Sequence, residues 1–295
     1  MKKITLNSLC TLCLIILLLV GCSRSAQSDK ILIAVSIPPQ AWFVSQVADD
    51  KADVLILVPP GQNPHNYEPT PKQIKSLSKA SAWVLSGTEF EISLRPKIQK
   101  LFPDLLIIDG TEGVEFRYLT ESDPDHAHDT NSSLEIDRHT WLGYEPAILM
   151  SMKIASSLVI LDNKNSDYYF KRMDDLIKKI GNVYSRLRVT LAPLEGKSVF
   201  VYHPSFGYFL DDFGIIQEAV EIEGKEPTAR QLNELMEKIK EEKPAAIFVQ
   251  KQFPANAAKT IADTVGAKVI ELDPLAQNWL ENIMHMGQEL KNIIK

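Results

Sequence analysis

Cysteine is almost missing from this sequence. There are three in 295 residues, and all fall within the first 22, at Cys10, Cys13 and Cys22. The rest of the chain has no thiol, which excludes disulfides, thiolate metal sites and cysteine nucleophiles there. Its core must rest on apolar burial, for which the length suffices. A basic block is missing too: Lys and Arg number 32 against 38 Asp and Glu, a formal net charge of −6. That balance argues against nucleic acid as a partner, because such affinity comes mainly from Lys and Arg on phosphate. With 45% hydrophobic and 24% charged residues, the chain is neither disordered, collagen-like nor a polytopic membrane protein. Histidine is scarce, at six residues, but unevenly placed.

The cysteines read as an address. Met1-Lys2-Lys3 opens a positive segment, and an apolar run follows, densest over residues 12–20. It is short for a membrane span and matches the apolar region of a signal peptide. It ends Leu19-Val20-Gly21-Cys22, which resembles the bacterial lipobox. The resemblance implies cleavage before Cys22 and a lipid on its sulfur, with 1–21 as signal peptide and 22–30 as a polar tether. An ordinary signal peptide ending near a cysteine is the alternative. Two or three acyl chains would hold the protein stably, since each buried CH2 contributes ~0.8 kcal/mol.

From residue 31 on, short runs rich in Val and Ile alternate with helical patterns, the signature of an α/β protein with mostly parallel strands. Strands are expected at 31–37, 54–58, 82–85 and 105–108, and again at 198–202, 215–222, 246–249 and 268–272. Thr70 followed by Pro71 marks a helix start. Thr228 marks another, running to about residue 242, and a further helix is expected over 255–265. Glu68-Pro69-Thr70-Pro71-Lys72-Gln73-Ile74 is echoed by Glu226-Pro227-Thr228-Ala229-Arg230-Gln231-Leu232. These features predict two pseudo-repeated lobes, 31–143 and 195–295. Residues 144–194 between them read as one long rigid helix, roughly 60 Å if continuous over 40 residues. Two helices with a turn near Asp162-Asn163 are the alternative.

Ligands of parallel α/β sheets gather at the carboxyl ends of strands. His65 lies in a Pro/Gly-rich loop after an expected strand, while His203 and Asp273 each directly follow one. His139, in Asp137-Arg138-His139-Thr140-Trp141-Leu142, sits where the chain passes between lobes. These four residues are candidate metal ligands. His126 and His128 lie in an acidic, breaker-rich stretch, a candidate auxiliary metal loop or a plain surface loop. His285 falls mid-helix and reads as structural.

The stretch 61–69 with His65, the Asp137–Leu142 stretch, His203-Pro204-Ser205-Phe206-Gly207-Tyr208-Phe209 and Leu272-Asp273-Pro274-Leu275 together resemble the zinc/manganese solute-binding lipoproteins of metal ABC importers, the cluster A-I family. The resemblance covers essentially the whole chain after the signal segment. It implies a metal held between lobes by His65, His139, His203 and Asp273. It also implies delivery to an importer permease, with the protein outside the cytoplasm, anchored through Cys22 and monomeric. The family commonly has Asp-Pro directly after Trp-Leu; here Gly143-Tyr144-Glu145-Pro146 follows, which shifts the expected start of the next helix.

Three imidazoles and one carboxylate suit Zn(II). The family's manganese members usually carry Glu at the position matching His203, which also favours zinc; Mn(II) and Fe(II) remain alternatives. A binding protein rather than an enzyme is expected. The rival is a zinc hydrolase using Glu68 or Glu271 as general base, and no His-Glu-x-x-His or Gly-x-Ser-x-Gly motif supports it. An adhesin-type lipoprotein is a second rival.

Overall fold

The computed structural model describes residues 30–119, 136–220, 236–237, 239–241, 244, 246–252, 262–264 and 266–294. The signal segment with Cys22, the His126/His128 stretch, the 226–232 echo, Thr228 and most of the expected helix at 255–265 lie outside the described residues.

Among the described residues, two four-stranded sheets, all parallel, organise the fold. The first comprises β1 (Ile31–Val35), β2 (Ala52–Ile56), β3 (Ala82–Leu85) and β4 (Leu106–Asp109), in the order β2-β1-β3-β4. The second comprises β5 (Ser198–Val201), β6 (Ile216–Ala219), β7 (Ala246–Gln250) and β8 (Lys268–Leu272), in the order β6-β5-β7-β8. Each sheet thus runs second, first, third, fourth in chain order, so the pseudo-repeat holds in topology. β3 and β7 are buried along their whole length, as inner parallel strands covered on both faces must be.

Helices α1 (Pro38–Ala48), α2 (Pro71–Leu77) and α3 (Glu89–Leu101) belong to the first series. The sequence-level start at Thr70 holds: the Thr70 hydroxyl accepts from Gln73 N and Gln73 Oε1 accepts from Thr70 N, with Pro71 in the first turn. This reciprocal cap satisfies two backbone donors that a helix start leaves open.

The expected single helix between the lobes is two. α4 (Tyr144–Leu161) and α5 (Ser166–Leu191) are separated by a short 3-10 turn, Asn163–Asn165. The Asp162 carboxylate explains the break: it accepts from Asn165 Nδ2 at 2.6 Å and Tyr169 Oη at 2.7 Å, local bonds that compete with helix continuation. α4 and α5 fold back on each other as an αα-hairpin. α5, at 26 residues, is the long central helix, about 39 Å.

α6 (Gly207–Asp211) follows β5, and α7 (Trp279–Asn292) ends the chain against α5. Gly287 permits that approach, since a Cβ there would lie 2.3 Å from Leu187. One apolar core runs through both sheets. Its aromatic centre joins Trp42 and Phe43 of α1 to Trp279 of α7, with ring centroids at 5.6 and 4.9 Å. Tyr184 of α5 stacks beside Trp279 and donates to the Leu142 carbonyl at 3.0 Å. Residues 31–295 accordingly form one compact unit.

Candidate metal centre

His65 is placed by a loop whose return is tied down locally. Gly61 turns it with a positive φ of 81°, a conformation glycine adopts without steric cost. Asn63 Oδ1 accepts from His65 N at 2.9 Å. Farther on, Gln73 Nε2 donates to Leu57 O at 2.6 Å and to Tyr67 Oη at 2.7 Å, closing the loop onto the end of β2. His139 enters from the segment preceding a 3-10 turn, Thr140–Leu142. His203 follows β5, and its backbone is clamped by the Gln250 side chain, which accepts from His203 N and donates to His203 O.

These three side chains converge. The Nε2 atoms of His65 and His203 are 3.1 Å apart, those of His65 and His139 3.3 Å, and those of His139 and His203 3.4 Å. Nitrogens bound tetrahedrally to zinc at 2.0–2.1 Å lie about 3.3–3.4 Å apart. The cavity beside them encloses about 10 Å³, room for a single water-sized species, and Trp141, Pro274 and Leu275 help to wall it.

Carboxylates hold two of the rings from behind. Glu89 Oε2 lies 2.8 Å from His65 Nδ1, and Asp137 Oδ1 lies 2.8 Å from His139 Nδ1. An acceptor at Nδ1 assigns the proton to that nitrogen and leaves a lone pair on Nε2. Two such lone pairs 3.3 Å apart repel unless a cation sits between them. Imidazole ligands of metals carry the same kind of support. Burial pushes the Glu89 carboxyl up, but the hydrogen bond from His65 leads the effects that outweigh it, so the group titrates below its usual range. Asp137, fully buried, is likewise held low, with His139 and then Arg117 overcoming its desolvation. Arginines stand behind both: Arg138 Nε is 3.5 Å from Glu89 Oε1, and Arg117 Nη1 is 2.6 Å from Asp137 Oδ2.

The loop that leads into Glu89, the first residue of α3, has its own anchor. Buried Glu91 accepts from Ser86 N, Ser86 Oγ and Gly87 N at 2.7–2.8 Å. Sequence reasoning missed Glu89, Glu91 and Asp137. Only Asp137 carried a signal, two residues before a candidate ligand.

Asp273, the fourth candidate, borders this centre but is not within the cluster of mutually close ligand atoms. Its Oδ1 accepts from Gln252 Nε2 at 2.8 Å and Leu275 N at 3.0 Å. Its neighbour Pro274 accepts from Trp141 Nε1 at 2.8 Å, tying the Asp273 turn to the His139 turn. The two hydrolase candidates fall away from the cavity lining: Glu68 is exposed, and Glu271 is largely exposed beside Lys251. His285 is exposed on α7, 3.9 Å from Glu289.

Two parallel-sheet lobes with a histidine triad, drawn from the loops after β2 and β5 and from the segment before the Thr140–Leu142 turn, define a two-lobed metal-binding protein. The family model for the periplasmic zinc-uptake complex component A, ZnuA, matches residues 33–293. The chain belongs to that family. The high-affinity zinc uptake system protein ZnuA of Bacillus subtilis (strain 168) is 27% identical over 261 residues, covering 86% of this chain and 81% of that protein. The manganese ABC transporter substrate-binding lipoprotein PsaA of Streptococcus pneumoniae is 27% identical over 282 residues, 91% of this chain and 86% of the other. Among solved structures, a crystal structure of ZnuA superposes with a TM-score of 0.82 at 32% identity, covering 90% of this chain and 99% of that one.

Proposed function

We propose that the chain captures a divalent transition metal, zinc before manganese or iron(II), and passes it to an ABC importer permease. The observation that carries this reading is the triangle of three Nε2 atoms with edges of 3.1–3.4 Å. Three neutral imidazoles favour zinc, because manganese prefers oxygen donors. Asp273 completes the set in this reading, its carboxylate turning inward from Gln252 and Leu275. Closed coordination by protein groups suits capture, whereas a hydrolytic zinc keeps a water position and a base at hand. The protein works as a monomer outside the cytoplasm, lipid-anchored through Cys22. The relatives' names, zinc uptake and manganese transport among them, support the importer role.

Competition titrations of the soluble chain from Ser23 with zinc and manganese against a chromophoric chelator test this. Zinc is expected to bind one ion per chain and at least tenfold more tightly than manganese. Manganese binding as tightly as zinc would replace the zinc assignment.

A further inference from the structure

Arg117 connects the metal centre to the second sheet's side of the molecule. Its Nη1 donates to Asp137 Oδ2 at 2.6 Å, and the other oxygen of Asp137 supports His139. Its Nε donates to Asp211 Oδ2 at 2.9 Å, at the end of α6. Its backbone N donates to Tyr208 Oη at 3.1 Å, and that hydroxyl in turn donates to Asp137 O at 3.0 Å. The guanidinium rests on Gly207, where a Cβ would lie 1.8 Å from Nη1 and 2.8 Å from Asp137 Oδ2. α6 therefore offers three supports to one arginine: the missing side chain of Gly207, the phenol of Tyr208 and the carboxylate of Asp211. α6 also begins four residues after His203.

We propose that Arg117 is a positioning residue for metal capture, holding Asp137 against His139 from α6, so that metal affinity depends on the Arg117–Asp211 contact. The proposal rests on metal capture at the triad. Asp211 touches none of the three histidines, and its side chain is 53% exposed against 22% for Arg117, so water screens the pair and its own contribution to stability is small. Its effect on metal binding passes through Arg117. Coupling of this sort is reciprocal: bound metal fixes His139 and Asp137, and thereby strengthens the hold of Arg117 on α6.

The experiment is a zinc competition titration of wild type, Asp211→Asn, Gly207→Ala, Arg117→Lys, Arg117→Gln and the Arg117→Gln/Asp211→Asn pair. Thermal unfolding of the metal-free proteins and the visible spectrum of the Co(II)-loaded forms accompany it. Arg117→Gln is expected to weaken zinc about 10–100-fold, as loss of a partner behind a metal ligand does. Arg117→Lys recovers part of that loss. Asp211→Asn is expected to weaken zinc about three- to tenfold with its metal-free melting temperature unchanged. It adds nothing in the Arg117→Gln background, since both act through one contact. Gly207→Ala, which moves the guanidinium without changing any charge, weakens zinc and alters the Co(II) bands as Arg117→Gln does. Wild-type zinc affinity and Co(II) spectrum in Asp211→Asn and Gly207→Ala would overturn the proposal while leaving capture intact. Absence of zinc binding by wild type would remove the capture reading itself.

Discussion

The Nε2 atoms of His65 and His203 lie 3.1 Å apart although 138 residues separate them in the chain. One follows the second strand of the first sheet and the other the first strand of the second. Their meeting is a product of topology: both sheets direct their carboxyl-end loops to a shared space, where ligand sites of α/β proteins form. The apolar core beneath, from Trp42 to Trp279, keeps the two sides in register.

Glu89→Gln tests the support behind His65. The amide keeps the size of the side chain but loses the charge that orients the ring and raises its basicity. Zinc affinity is expected to fall about 10–100-fold with the far-ultraviolet spectrum unchanged. Chelator competition reads the first quantity and circular dichroism the second.

Glu91→Ala tests the anchor under that loop. The buried N–H of Ser86 and the half-buried N–H of Gly87 would lose their acceptor, and each stranded donor costs about 1–3 kcal/mol. A loss of about 2–4 kcal/mol in urea unfolding of the metal-free protein is expected. A loss below the error of the fit would show that water replaces the carboxylate without penalty.

Asp212 sets a pH dependence of stability. Burial pushes its carboxyl up to about 7, against the bond it accepts from Tyr144 N at 2.8 Å. An unfolded Asp titrates near 3.9, so between these values the folded state binds the extra proton. Stability contributed by this group is present below pH of about 4 and is lost as pH rises through 7. Asp212→Asn, which retains an acceptor for Tyr144 N, is expected to be more stable than wild type at pH 8. The two should converge near pH 4 in thermal melts. Parallel pH profiles would contradict the assignment.

Lobe movement on metal binding is expected to be small. Trp279 Nε1 donates to Trp141 O at 2.6 Å, and Trp141 Nε1 donates to Pro274 O, so both sides are bonded through the centre's own walls. X-ray scattering with and without zinc should give the same radius of gyration. A clear compaction would point to a hinge that this core does not allow for.

Much of this was readable before folding, and the boundary is instructive. Thr70 and Pro71 announce their helix because capping is local chemistry within four residues. The strand 82–85 reads from its own buried composition. His65 and His203 drew notice because each follows a strand, and His139 because it lies where the chain passes between lobes, in one of four motifs that together resemble a known family; the structure brings the three together. Glu89 was hidden, since its role depends on the start of α3 being brought beside His65 from 24 residues away. Arg117 gave no signal at all, because Asp137 and Asp211 reach it only in three dimensions. The single interlobe helix failed at Asp162, whose short carboxylate found Asn165 and Tyr169; the Asp-Asn pair was the local warning. Asp273 does follow a strand, β8, and its Oδ1 accepts from Gln252 and Leu275.

In the proposed function His65, His139 and His203 hold one metal ion together. The measurement that tests it most directly is zinc stoichiometry and affinity by competition titration for the chain from Ser23, compared with His203→Ala. One tightly held zinc per wild-type chain, with affinity reduced at least a hundredfold by the substitution, is the predicted result. Tight binding that survives His203→Ala, or no tight binding of any divalent metal by wild type, would contradict it.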